Sequence, residues 1–318
     1  MSGHGAVAVV IPSWNSLGLL PRCLDSLRAQ GEEIELLVVD NGSGDGAVEY
    51  LQREGVPHVA LPANLGFAAA VNLGVARTRA AAVLVLNADT VLEPGSVGTL
   101  LAALDREPGL GGVQPRILQL EQGRPPEVAT ARLYSAGQAL GADGRAVEVA
   151  AGERQSPAWL EPRLLFGVCG AACLLRRVAF EELGGYDESY VSFYEDVDLN
   201  VRAQVAGWDF AYVPEAVVWH VGNASWQAGF DRPAAENARL VARNRLATQA
   251  KFMPARALPR MLAVEAGSLW RAARQRRLGA TLRGKLEGLA WLPRLLGERR
   301  RLRRSGDLAR ARHWLGRV

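Results

Sequence analysis

Lysine is nearly missing from this chain. Among 37 basic residues only Lys251 and Lys285 are lysines. Arginine supplies the rest, so part of any basic excess reflects composition rather than a binding surface. Cysteine is scarce too. Cys23, Cys169 and Cys173 are too few for a disulfide framework. The last two sit in an apolar segment without the spacing of a zinc knuckle, and they read as small buried hydrophobes in a reducing compartment. Long hydrophobic runs are absent. The longest uncharged one, residues 164–175, is too short for a bilayer, which needs about 20 residues. The opening Met1-Ser2-Gly3-His4-Gly5 has no basic stretch before the first apolar run, so no signal peptide is expected and the chain is read as cytoplasmic.

What is present describes a globular protein. The chain has 318 residues, 49% hydrophobic and 22% charged, enough for one large domain or two smaller ones. The net charge of +4 is unevenly spread: residues 254–318 hold 17 basic and 4 acidic side chains, which leaves the remainder acidic. Apolar runs at 6–11, 34–39, 56–61 and 82–86 read as buried strands. Helical spacing separates them at 17–27, 46–53 and 67–79, and Pro94 opens another helix to about 104. Strands alternating with helices imply an α/β fold, a mostly parallel sheet flanked by helices. From 119 to 163 the pattern dissolves into Gly, Pro and charge, which reads as a hairpin-and-loop insertion. Regularity returns at 164–166 and 171–175, with a short helix at 178–183 and a helical stretch at 199–206. Short strands at 210–213 and 217–219 and a long helix at 233–252 follow. In the tail Leu258, Leu262 and Leu269, then Leu278, Leu282, Leu286 and Leu289, fall on one helical face beside arginines, and Pro293 should kink or end the second segment.

Four places carry chemistry. Asp40 ends the run Leu36-Leu37-Val38-Val39, where a carboxylate can accept the N–H of a pyrimidine base. The following Asn41-Gly42-Ser43-Gly44-Asp45-Gly46 equally suits a tight turn in which Asp45 caps the next helix. These glycines lack dinucleotide-fingerprint spacing. Asp89 ends Asn87-Ala88-Asp89 after an uncharged strand. It suits a hard divalent cation on a diphosphate, or else the start of the helix that Glu93 and Pro94 announce. Glu195-Asp196 opens an amphipathic segment, where a carboxylate can act as a general base or simply face the helix dipole. Asp198 fits a structural role, either facing the helix dipole in the first turn or pairing with Arg202 four residues on. His220 follows Val217-Val218-Trp219 and matters chemically only if the fold brings it to Asp89.

Read in order, these motifs resemble glycosyltransferase family 2, inverting enzymes of the GT-A fold, in its rhamnosyltransferase-like branch. The matching text includes Val9-Val10-Ile11-Pro12-Ser13-Trp14-Asn15, Val39-Asp40-Asn41-Gly42-Ser43, Asn64-Leu65-Gly66-Phe67, Leu86-Asn87-Ala88-Asp89 and Gly170-Ala171-Ala172. It closes with Gly184-Gly185-Tyr186-Asp187-Glu188, Tyr194-Glu195-Asp196-Val197-Asp198-Leu199 and His220. The resemblance covers roughly residues 6–245. It implies that Pro12, Asn15, Asp40, Asn64, Gly66, Phe67, Asn87, Gly170 and Glu195 bind the donor. It further implies that Asp89 and His220 hold Mg²⁺ or Mn²⁺ and that Asp196 is the base. Position 87 is Asn where the family's metal motif has Asp, a departure that removes one charged ligand.

The implied organisation is a transferase domain over 1–250, with a donor half to about 118 and an acceptor half from 119, and a basic helical extension over 251–318. The implied partners are a nucleoside-diphosphate sugar, dTDP-rhamnose or a UDP-sugar, and a glycan or lipid-linked acceptor of cell-surface polysaccharide synthesis. Leucines beside arginines in the tail favour a peripheral contact with an anionic membrane. Nucleic acid is not an expected partner, since neither interleaved aromatics nor a known module is present. Two alternatives stand: a sugar nucleotidyltransferase, although Pro12-Ser13-Trp14-Asn15 is not its glycine-rich basic loop, and a non-catalytic binding protein on the same fold.

Overall fold

The computed structural model describes residues 7–121, 127–128, 131–222 and 234–317. The first part alternates as the periodicity predicts: β1 (Val7–Ser13), α1 (Leu20–Arg28), β2 (Ile34–Asp40), α2 (Ala47–Arg53), β3 (His58–Ala60), α3 (Phe67–Arg77) and β4 (Ala82–Leu86). Then come β5 (Thr90–Leu92), α4 (Ser96–Arg106) and β6 (Leu110–Gln119). The insertion contributes β7 (Leu133–Ser135) and a hairpin of β8 (Gln138–Leu140) with β9 (Ala146–Glu148). The chain returns through β10 (Arg163–Leu165), β11 (Ala172–Arg176), α5 (Arg177–Glu182), α6 (Glu195–Ala206) and β12 (Asp209–His220). Five helices follow: α7 (Ala234–Phe252), α8 (Leu258–Arg274), α9 (Leu278–Ala290), α10 (Leu292–Ser305) and α11 (Leu308–His313).

The main sheet runs β10-β12-β6-β11-β4-β1-β2-β3. β1 pairs in parallel with β2 and β4, β2 with β3, and β6 with β12; β11 lies antiparallel between β4 and β6. The carboxyl ends of β1, β2, β4, β6 and β12 therefore share one edge, where ligands of such sheets bind. Side chains alternate across the sheet. Val9 and Ile11 join Leu24 of α1 and Leu100 of α4 on one face, while Ala8 and Val10 join Val71 and Val75 of α3 on the other. Gly74 lets α3 press onto β1, since a side chain there would collide with Val10.

Two elements differ from the expected ones, and one strand had no legible pattern. The helix expected at Pro94 begins at Ser96, because Gly95 at φ +77° closes the turn before it. The two short strands around Pro214 are one strand, β12, whose register shift between Val213 and Val217 absorbs the proline. β6 contains Gly111, Gly112 and Pro115, which mask its strand pattern. Pro293 occupies the first turn of α10, where its missing N–H costs nothing, and the preceding helix ends at Ala290. Pro233 lies outside the described residues.

The tail folds against the body. α9 packs on α7 through small residues: a side chain at Gly284 would strike the Arg239 carbonyl, and Gly288 lies against Arg243. Lys251 of α7 bonds Asp198 of α6 at 2.6 Å and Glu298 of α10 at 3.0 Å, and Arg310 reaches Asp209 at 2.6 Å.

Candidate active site

The carboxyl edge of the sheet opens into a cleft of about 1110 Å³. Pro12, Asn15, Asn64, Phe67, Asn87, Asp89, Gly170, Glu195, Asp196 and His220 all line it. Asp40 and Gly66 stand just behind that lining. Asp40 is 1% exposed; its Oδ1 accepts the Ser43 N–H at 3.0 Å, and its Oδ2 is buried with no hydrogen-bond partner among the described residues. A buried carboxylate oxygen without a donor costs free energy unless a ligand supplies one. The adjacent Asn41 joins β2 to the next loop: its amide donates to Asn64 Oδ1 and the Gly66 carbonyl and accepts the Leu65 N–H at 2.9 Å. Gly66, at φ +99°, passes so close to the Val191 carbonyl that a side chain cannot fit. Gly46, in the left-handed region at φ +89°, is the cap of α2; Asp45, one residue earlier, accepts the Ala47 N–H at 3.2 Å and the Leu17 N–H at 2.8 Å.

A second corner forms where β12 pairs antiparallel with β5, placing His220 opposite Thr90. His220 Nε2 comes to 3.0 Å from Asp89 Oδ1 and 3.5 Å from the Asn87 amide. The Tyr134 ring meets the imidazole edge-on at 4.3 Å. A carboxylate oxygen and an imidazole nitrogen meeting there are hard-to-borderline ligands that suit Mg²⁺ or Mn²⁺, while the Asn87 amide nitrogen faces the imidazole rather than offering a further ligand. The ligand atoms of Glu148, Cys169 and Asp196 also lie within 4.8 Å of one another. There, burial first and then Glu148 and Asp196 push the Cys169 thiol well above its ordinary range. It stays protonated and suits a hard cation poorly, so that cluster is better described as an acid pair.

Asp196 sits in the first turn of α6. Its Oδ2 accepts Gln138 Nε2 at 2.8 Å and the Gly170 N–H at 3.2 Å, and its Oδ1 accepts the Val197 N–H at 2.8 Å. Burial raises its carboxyl above the usual value, and those bonds oppose the rise. The approach to this turn is strained: Val191, Phe193 and Tyr194 have φ of +66°, +71° and +69°. Asn244 of α7 holds it, its amide 2.9, 2.9 and 2.8 Å from the carbonyls of Tyr190, Ser192 and Phe193. Arg243 binds the Ser189 and Tyr190 carbonyls. Asp198 points the other way, fully buried between Arg202 at 2.7 Å and Lys251 at 2.6 Å, and is structural.

Asn41, Gln138, Glu148 and Asn244 escaped the sequence reading as site residues. Asn41 stood inside a quoted motif. Gln138 and Glu148 lie in the patternless insertion, and Asn244 is one polar position of a long helix.

This architecture, a mostly parallel sheet flanked by helices, is the GT-A fold. Residues 8–184 match the model of glycosyl transferase family 2, so the chain belongs to that family and is a glycosyltransferase. It is 33% identical over 219 residues to the N-acetylglucosaminyl-diphospho-decaprenol L-rhamnosyltransferase of Mycobacterium tuberculosis, covering 63% of this chain and 71% of the relative. It is 25% identical to the O-antigen chain rhamnosyltransferase RfbN of Salmonella typhimurium, covering 71% and 69%. Its fold is similar to that of GalNAc-T7 solved with UDP, GalNAc and Mn²⁺ (TM-score 0.58, 18% identity, 79% of this chain and 51% of that one). It is also similar to the mannosyltransferase PcManGT of Pyrobaculum calidifontis, in complex with GDP-Man and Mn²⁺ (TM-score 0.51, 17% identity, 98% and 87%).

Proposed function

We propose that this chain is an inverting glycosyltransferase that moves rhamnose from dTDP-rhamnose, or a sugar from a UDP donor, to a lipid-linked glycan in cell-surface polysaccharide synthesis. The observation that carries the reading is that one cleft holds both the Asp89–His220 pair and Asp196. The named activities of the two bacterial relatives favour rhamnose and a lipid-linked acceptor. Asp40 binds the base through its unpartnered oxygen, and Pro12, Asn15, Asn64, Gly66, Phe67 and Gly170 shape the donor pocket, with Glu195 beside Asp196. Asp89 and His220, beside Asn87, would hold Mg²⁺ or Mn²⁺, which neutralises charge on the leaving diphosphate.

Asp196 removes the proton of the acceptor hydroxyl as that oxygen bonds to the anomeric carbon. The bond from that carbon to the diphosphate oxygen breaks, and its electron pair leaves with the nucleoside diphosphate. A single displacement inverts the anomer. The test pairs two variants in transfer assays and nucleotide-dependent thermal shifts. Asp196→Asn should abolish transfer and keep the shift, and Asp89→Ala should lose the metal-dependent part of the shift. Equal loss of both properties in Asp196→Asn would remove the base assignment.

We further propose that the tail meets an anionic membrane at the inner face of the cell. α9 turns Thr281, Gly284, Lys285 and Gly288 inward and leaves Leu278, Leu282, Leu286 and Leu289 at 38, 42, 67 and 50% exposure. Leu262 and Trp270 of α8 are 61 and 62% exposed. Leucines turned outward beside arginines match an interfacial surface. Among the described residues, no helix is long and apolar enough to cross a membrane.

A further inference from the structure

The insertion between β6 and β10 brings a second carboxylate to the base. Glu148, at the end of β9, lines the same cleft as Asp196. One amide joins them: Gln138 Nε2 lies 2.8 Å from Asp196 Oδ2 and 3.2 Å from Glu148 Oε1. Gln138 is 2% exposed, and its own oxygen accepts Asn200 Nδ2 at 2.8 Å, which fixes which end of the amide faces the acids. Ser135 donates its hydroxyl to Glu148 Oε2 at 2.6 Å. Carboxylate oxygens of Glu148 and Asp196 approach within 4.8 Å, and no basic side chain bonds either of them among the described residues.

We propose that Glu148 is a positioning residue of the transfer reaction, coupled to Asp196 through Gln138, so that the base is a carboxylate pair rather than a single acid. This rests on the assignment of Asp196 as the base. Two carboxylates this close in a partly dry site lose their protons in two steps that belong to the pair. Asp196 accepts two backbone N–H bonds that Glu148 lacks, so it is ionised in the first step, while Glu148 keeps its proton longer. Burial, then the charge of Asp196, pushes Glu148 up to about 7. When Glu148 also ionises, its charge raises the proton affinity of Asp196 and makes it a stronger base for the acceptor hydroxyl. The other titratable groups around the pair are Cys169, Tyr134, Cys173 and Tyr186. Burial first raises all four above their ordinary values, so they stay neutral while the pair titrates. Glu195 stands beside Asp196 on the same helical turn.

The experiment is the pH profile of kcat at saturating donor and acceptor for wild type, Glu148→Gln, Glu148→Asp and Asp196→Asn, with a nucleotide-dependent thermal shift to show that each variant folds and binds donor. Wild type should show two ionisations on the acidic side. Glu148→Gln, which keeps an amide in place of the acid, should show one, with kcat above pH 7 lower by about three- to tenfold. Glu148→Asp should keep the second ionisation but displace it, and that displacement carries the test if the Gln variant does not fold, a second step unmoved from wild type overturning the coupling. A Glu148→Gln profile superimposable on wild type, with Asp196→Asn inactive, would overturn the coupling and leave the base assignment standing. An active Asp196→Asn would instead overturn that assignment, and the coupling with it.

Discussion

Glu148 has a consequence for stability as well as for rate. Its ordinary value of 4.5 rises to about 7 in the fold, first through burial and then through Asp196. The folded state thus binds the proton more tightly than the unfolded chain. Ionisation between those two values draws on folding free energy, so this contribution falls as the pH rises across that window. Glu148→Gln removes the titration. It should be more stable than wild type by about 1 kcal/mol or more at pH 8, where each unit of raised affinity is worth roughly 1.4 kcal/mol. The advantage should shrink toward pH 4.5; denaturant midpoints at the two pH values measure it. Residues differ in how far the sequence reveals them. Asp40 and Asp89 were legible because each closes an apolar run, and Asp196 because the Glu195-Asp196 pair opens an amphipathic segment. Glu148 was not, because its meaning comes only from Gln138 and Asp196 across the cleft.

At the scale of elements, α6 and α7 form one device. The strained turn at 191–194 delivers Asp196, and Asn244 holds its carbonyls from α7. Asn244→Ala leaves those carbonyls without that donor and lets the turn relax. It should destabilise the protein by about 1–3 kcal/mol and lower kcat more than the donor KM, read in steady-state kinetics. Behind the turn, Lys251 neutralises the fully buried Asp198. Burial works against the charge of Asp198, but Lys251 and Arg202 outweigh it and hold its carboxyl below the usual value. Lys251→Met should cost about 3 kcal/mol, since it removes one cationic partner of a buried carboxylate; urea unfolding tests this. The i to i+4 pairing of Asp198 with Arg202 was legible from spacing, whereas the Lys251 contact required α7 to pack across α6.

At the scale of the molecule, the tail extends the body rather than trailing from it. α9 and α10 pack on α7, and Leu295 is fully buried. Removing the tail would therefore disturb the fold, and the membrane proposal is better tested on its outer face. Leu282→Ser with Leu286→Ser should leave the thermal midpoint near wild type, since both side chains are exposed. It should weaken binding to phosphatidylserine-containing vesicles at least about tenfold, as losing two inserted leucines at about 25 cal/mol per Å² predicts. Neutral vesicles should bind both proteins weakly. Cosedimentation at two salt concentrations measures this, and unchanged binding would remove the tail from the contact.

The sequence by itself determined the alternation of strands and helices and the carboxylates at strand ends, because those patterns are local: a period of two or of 3.6, and a charge that ends a buried run. It also carried the order of motifs that marks the family. Only the tertiary structure decided that β12 pairs with β5 and so brings His220 to Asp89, that Gln138 and Glu148 meet Asp196, and that α9 turns its leucines outward. Each depends on which surfaces of distant elements meet. In α9 the glycines permit a closer approach to α7 than leucines could, so close packing, and not hydrophobicity alone, chose the buried face.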